Sequence, residues 1–81
     1  MPTKTQHSMT YKVLPGFLRQ IREKAGITQR ELGKRLKKPQ SYVHNCETAN
    51  RRVDITEFIL WSKACEVDPK KAFNKLLKEL E

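Results

Sequence analysis

Long apolar runs are missing from this 81-residue chain, the longest being the four residues Phe58-Ile59-Leu60-Trp61. A membrane span needs about 20 consecutive apolar residues and the core of a secretory leader about 7–15, so neither is expected, and the expected location is the cytoplasm. Cysteine is scarce as well. Cys46 and Cys65 occupy apolar positions of helix-like segments, form no CxxC pair and have no histidine at metal-ligand spacing, while His7 and His44 stand apart from each other. No disulfide, metal or cofactor is therefore expected. With three glycines there is no Gly-rich phosphate loop, and no paired carboxylates or nucleophile with an adjacent base stand out, so the chain is not read as an enzyme. Aromatics make up 7% and none clusters among the basic residues, which argues against RNA as the first partner.

What the sequence does carry is positive charge, unevenly placed. The net charge is +8, and residues 1–53 hold twelve basic and three acidic side chains whereas residues 54–81 hold five and six. A basic half of this kind suits a polyanion, because Lys and Arg that neutralise phosphates release condensed counterions. Charge alone does not separate DNA from RNA or an anionic membrane.

The apolar pattern is helical throughout, in a chain long enough for a single small core. Residues 1–10 are polar and without apolar period, and a flexible tail is read over 1–12 ahead of a domain over 13–81. Leu14, Phe17, Leu18, Ile21 and Ala25 then form one stripe, with Pro15 placed for a first turn and Gly26 for a stop. Thr28 with Glu31 reads as a capping box inside an Ile27/Leu32 staple and starts a short second helix, which ends before Lys37-Lys38-Pro39. A third helix is expected from about Gln40 to Thr48 with Val43 and Cys46 inward. Asp54 with Glu57 caps a fourth, and Asp68-Pro69 starts a fifth whose apolar residues are Phe73, Leu76, Leu77 and Leu80. The result is an all-α, five-helix domain with a C-terminal helix extension.

Two short helices joined by about three residues must cross at a wide angle, which is the helix-turn-helix unit. If Val43 and Cys46 face inward, Gln40, Ser41, His44 and Asn45 lie on the other side of the third helix. Amides and short hydroxyls are the groups that bond base edges in the major groove. Lys37, Lys38, Arg51 and Arg52 flank that face where phosphates would run. Trp61 is expected in the core, Tyr42 either at the DNA edge or shielding the second helix, and Cys46 as packing rather than a redox group.

The run LRQIREKAGITQREL, the SYV step, a glutamate closing the third helix and the basic residues before a capped fourth helix together resemble the phage-repressor-like (Cro/C1, XRE-type) helix-turn-helix family of transcription regulators, from about Leu18 to Phe73. The resemblance implies a lambda-repressor-like DNA-binding domain with the helix-turn-helix at helices 2 and 3. It implies that Gln29 grips a phosphate, that Gln40, Ser41 and Asn45 read bases, and that His44 touches base or phosphate. It further implies backbone contacts from Arg51 and Arg52, and an Arg22–Glu47 ion pair tying helix 1 to the end of helix 3. Four positions depart from the family. Lys37 stands at the turn glycine, Ala49 and Glu66 replace two further glycines, and Pro39 replaces a Ser/Thr cap. A left-handed residue at 37 costs roughly 1 kcal/mol, which leaves the turn open to remodelling. Pro39 could occupy the first helical position or leave Ser41 as the effective cap, and a capping Ser41 would read no base.

Single domains of this type cover few base pairs, so a homodimer on an inverted repeat is expected. Ile55, Phe58, Ile59 and Trp61 fill the core positions of helix 4 in this reading, leaving Leu60 to pair with Leu76, Leu77 or Leu80 across a symmetric seam. A longer helix 5 folding back on its own core is the competing arrangement. The expected function is a small repressor or controller that binds duplex DNA, a size that would also suit contact with RNA polymerase or a toxin protein. The rival reading is a helical interaction module or antitoxin whose basic face meets an acidic protein.

Overall fold

The computed structural model describes the backbone of residues 4–80 and the side chains of residues 11–80. Five helices follow one another, α1 (Lys4–Lys24), α2 (Gln29–Leu36), α3 (Gln40–Glu47), α4 (Ile55–Ala64) and α5 (Pro69–Glu79), with no strand among the described residues. The flexible tail expected over 1–12 is instead helical from Lys4, and Pro15 lies inside α1 rather than in its first turn. Proline there removes one backbone hydrogen bond and costs about 3 kcal/mol. The helix continues through it because half-buried Tyr11, Val13 and Leu14 pack before the break and buried Phe17 and Leu18 after it.

Short-range side-chain caps start α2, α4 and α5. The Glu31 amide donates to Thr28 Oγ1 at 3.0 Å, capping α2. The expected capping box is only half formed, since the Glu31 carboxylate turns to Arg35 at 3.2 Å. At α4 both halves are present, with Glu57 N–H donating to Asp54 Oδ1 at 2.8 Å and Asp54 N–H to Glu57 Oε1 at 2.9 Å. Asp68 caps α5 by accepting from the Lys70 amide, with Pro69 in the first turn. Pro39 is the N-cap of α3 and supplies no side-chain bond, and Ser41 lies one residue inside the helix.

Helices α1 to α4 all end in one motif. Gly26, Lys37, Ala49 and Glu66 have φ of 75°, 59°, 66° and 60°. After each, the next amide reaches back five residues, from Ile27 to Arg22 O, Lys38 to Gly33 O, Asn50 to Asn45 O and Val67 to Ser62 O, at 3.4, 2.8, 3.0 and 2.9 Å. These are Schellman closures, for which glycine is the favoured left-handed residue. The turn after α2 is therefore not remodelled by Lys37, which adopts the left-handed conformation despite its Cβ. The same turn explains Gly33: a Cβ there would stand 2.7 Å from the Lys38 carbonyl oxygen.

The core is Phe17, Leu18, Ile21, Leu32, Val43, Cys46, Phe58, Trp61, Cys65, Ala72 and Leu76. Trp61 is central to it, fully buried, with its indole N–H donating to Leu18 O at 3.1 Å and so joining α4 to α1. Three residues expected to face inward do not. Ile55 at the solvent-facing start of α4 is 61% exposed and Ile59 lies at the surface, so Phe58, Trp61 and Ser62 form the inward face. Ala25 follows the last residue of α1 and is exposed.

Candidate nucleic-acid interface

Helix α3 is held from behind by fully buried Val43 and Cys46, which pack in the common core with α1 and α2. Glu47 completes the anchor. Arg22 Nε and Nη2 donate to its two carboxylate oxygens at 2.6 and 3.1 Å, and Arg22 Nη1 donates to Ile27 O at 2.9 Å. The hydrogen bond to Glu47 raises the Arg22 pKa above its ordinary value even though burial works against the charge. Gln29 Nε2 donates to Glu47 Oε1 at 3.0 Å, and Gln40 Nε2 donates to Gln29 Oε1 at 3.4 Å. A continuous polar chain thus runs from the buried Arg22 guanidinium to the exposed start of α3.

The opposite side of α3 is open. Gln40, Ser41 and His44 are exposed and Asn45 is half-buried. Lys37 and Lys38, in the turn before α3, and Arg51 and Arg52, in the loop after it, are all exposed. Lys38 Nζ lies 5.3 Å from the Tyr42 ring centroid and the Arg51 guanidinium carbon 4.9 Å from it, within the range of cation–π attraction. Tyr42 therefore gathers cations from both flanks of α3, and it does so held by Glu57, whose Oε2 accepts from the tyrosine hydroxyl at 3.0 Å. The same oxygen pairs with Arg51 Nη1 at 2.7 Å. Burial opposes ionisation of Glu57, yet the bonds from the Asp54 amide, Tyr42 and Arg51 prevail and hold its carboxyl below the ordinary value. Burial, and then the bond to Glu57, pushes the Tyr42 hydroxyl up. The Cys46 thiol beneath is also pushed up, chiefly by burial, and stays a packed neutral group.

The sequence reading missed Tyr11. Its hydroxyl donates to Arg51 O at 3.3 Å and accepts from the Val53 amide at 3.2 Å, while the Arg52 guanidinium carbon sits 4.6 Å from its ring centroid. The N-terminal part of α1 thus fixes the loop that carries both arginines. A signal was present: Tyr11 precedes Leu14, Pro15 and Leu18 at 3, 4 and 7 residues, the spacing of one helix face.

Among the proposed seam residues, Leu76 is buried at 8% exposure and belongs to the monomer core. Leu60 and Leu77 are 52% and 45% exposed, and Ile59, Phe73 and Leu80 are exposed beside them in the sequence of α4 and α5.

The arrangement is that of a helix-turn-helix protein. A helix-turn-helix family profile matches residues 18–71. The chain is similar to the solved structure of an XRE-family like protein from Pseudomonas syringae pv. tomato str. DC3000, with 41% identity over 94% of this chain and 93% of that one and a TM-score of 0.85. It is also similar to a crystal structure of a point mutant of the restriction-modification controller protein C.Esp1396I, with 28% identity, 88% and 93% coverage and a TM-score of 0.78. No curated protein matches in sequence. The chain belongs to the XRE-type helix-turn-helix family, and with it to the DNA-binding transcription regulators.

Proposed function

We propose that the protein is a sequence-specific repressor or controller that inserts α3 into the major groove of duplex DNA. The observation that carries this reading is the division of α3 into an anchored side, Val43, Cys46 and Glu47, and a wet side bearing Gln40, Ser41, His44 and Asn45. Gln40 and Asn45 can bond adenine through two atoms each, and Ser41 has no capping duty that would withhold its hydroxyl. Gln29, Lys37, Lys38, Arg51 and Arg52 surround this side and bind the flanking phosphates. Gln29 does so from the first turn of α2, where a helix terminus favours an anion. The family match favours duplex DNA over an acidic protein as the partner of the basic half.

The protein acts as a homodimer in the cytoplasm. Leu60, Leu77 and Leu80, joined by Ile59 and Phe73, supply the exposed apolar side chains for a seam in the nearly neutral half, and Leu76 supports it from within the core. Similarity to a restriction-modification controller supports the controller role among the small regulators. Selection of bound duplexes from a random pool tests both parts. Enrichment of an inverted repeat with half-sites about 34 Å apart is the expected result. Recovery of no common sequence would contradict sequence-specific binding, and recovery of a single asymmetric half-site would contradict the dimer.

A further inference from the structure

A cavity of about 530 Å3 is lined by α1, α5, the turn between α4 and α5, and Arg35 of α2. None of its lining residues comes from α3, so it is separate from the base-reading side. Phe17 and Ile21 of α1, Val67 of the turn and Ala72 of α5 form an apolar floor. The rim is cationic, with Lys24 on α1 and Lys71 and Lys75 on α5, all three exposed. Lys71 and Lys75 are four residues apart on one helix face, where like charges repel. Among the described residues none of these three lysines has an ion-pair partner. Glu66 is the acidic residue of the lining, and it leans toward Arg35 at 3.8 Å. Arg35 is itself fixed by Ala64 O at 2.8 Å and Glu31 at 3.2 Å.

We propose that this cavity binds a small amphiphilic organic anion, an acyl or aryl carboxylate, with its apolar body on Phe17, Ile21, Val67 and Ala72 and its carboxylate among Lys24, Lys71 and Lys75. The volume falls in the range of small-molecule sites, about 300–1,000 Å3, and an apolar floor with a few charged groups at one edge is their usual composition. Charge decides the class of ligand. A carboxylate relieves the Lys71/Lys75 repulsion, a cationic amphiphile adds to it, and a neutral one leaves it unchanged.

The test is an amide NMR titration of the full chain with decanoate, decanol and decyltrimethylammonium at equal submillimolar concentrations. Saturable shifts at Ile21, Val67 and Ala72 are expected with decanoate, at an affinity about tenfold or more above the other two. The Lys71→Glu/Lys75→Glu variant should lose about tenfold in decanoate affinity, and Lys34→Glu, on α2 outside the cavity, should lose none. The unliganded spectrum of each variant reports directly whether it is folded. Equal affinity for the three head groups, no saturation with decanoate, or shifts gathered on α3 or around Leu60 and Phe73 would overturn the proposal. So would displacement of decanoate by an acidic amphipathic peptide at lower concentrations than decanoate needs, since that would assign the site to a protein partner. No DNA enters the titration, so its outcome is independent of the operator-binding account.

Discussion

The Gln40 side chain donates to Gln29 Oε1 at 3.4 Å, and Gln29 in turn donates to Glu47 at 3.0 Å. The first outward residue of α3 is thereby oriented by a chain of bonds that begins at buried Arg22. Such a link restricts the rotamers of Gln40, and it couples the exposed start of α3 to the buried ion pair.

Removing one member of that pair should be costly. Glu47→Ala leaves the Arg22 guanidinium buried with its main partner gone, and a loss of about 3–5 kcal/mol in urea unfolding is expected. Arg22→Met/Glu47→Leu together should cost less than either single change, because no charge is then stranded. A double variant that is less stable than both singles would show that the pair contributes attraction well beyond its desolvation.

Lys37 offers a change in the opposite direction. Its φ of 59° carries the left-handed penalty of about 1–2 kcal/mol, against which glycine adds about 0.4–1 kcal/mol of unfolded-chain entropy. Lys37→Gly should therefore stabilise the protein by a few tenths to about 1 kcal/mol, with Ala49→Gly alike, as read by thermal unfolding. Because Lys37 also flanks α3, its loss should weaken DNA binding on all sequences equally. Destabilisation by both glycines would mean that these turns are not left-handed.

Glu57 links stability to pH. Its carboxyl is held below the ordinary value of 4.5, so the stability it contributes is complete above that value and is lost as the pH falls through the lower folded one. Wild type should exceed Glu57→Gln in stability at neutral pH, and the difference should shrink as the medium is acidified below about 4.5. A difference that stays constant down the acid limb would contradict the Tyr42–Glu57–Arg51 arrangement.

Tyr11→Phe separates the hydroxyl from the ring. The variant loses the bonds to Arg51 O and Val53 N but keeps a ring for the Arg52 guanidinium. A cost of about 1 kcal/mol is expected, with faster hydrogen exchange at the Val53 amide. Unchanged exchange at Val53 would show that the loop is fixed by other contacts.

The starts of α2, α4 and α5 were legible because the signal is local: Thr28, Asp54 and Asp68 each accept from an amide within three residues. The start of α1 was not, since Pro15 fits a first turn and the residues before Tyr11 give no apolar period. Which side of α3 is exposed followed from Val43 and Cys46, because two inward residues on so short a helix fix the rest. Exposure of Ile55 and Phe73 was illegible for a tertiary reason: a helix with apolar residues on several sides shows its buried face only once its neighbours are in place. Left-handed turns at Lys37 and Ala49 were marked by the family's glycines, whereas these side chains by themselves argue against them. The stacking of Arg51 on Tyr42 and of Arg52 on Tyr11 lies beyond any local pattern, as each joins segments distant in sequence.

The most direct test of base reading by α3 compares Gln40→Ala, Asn45→Ala and Arg52→Ala on a selected operator and on duplexes with one base pair changed. The account predicts that each amide variant loses about 1–3 kcal/mol and relaxes the preference at one position, while Arg52→Ala weakens every duplex alike and lowers the salt slope by about one. Uniform losses across all sequences for the three variants would contradict it.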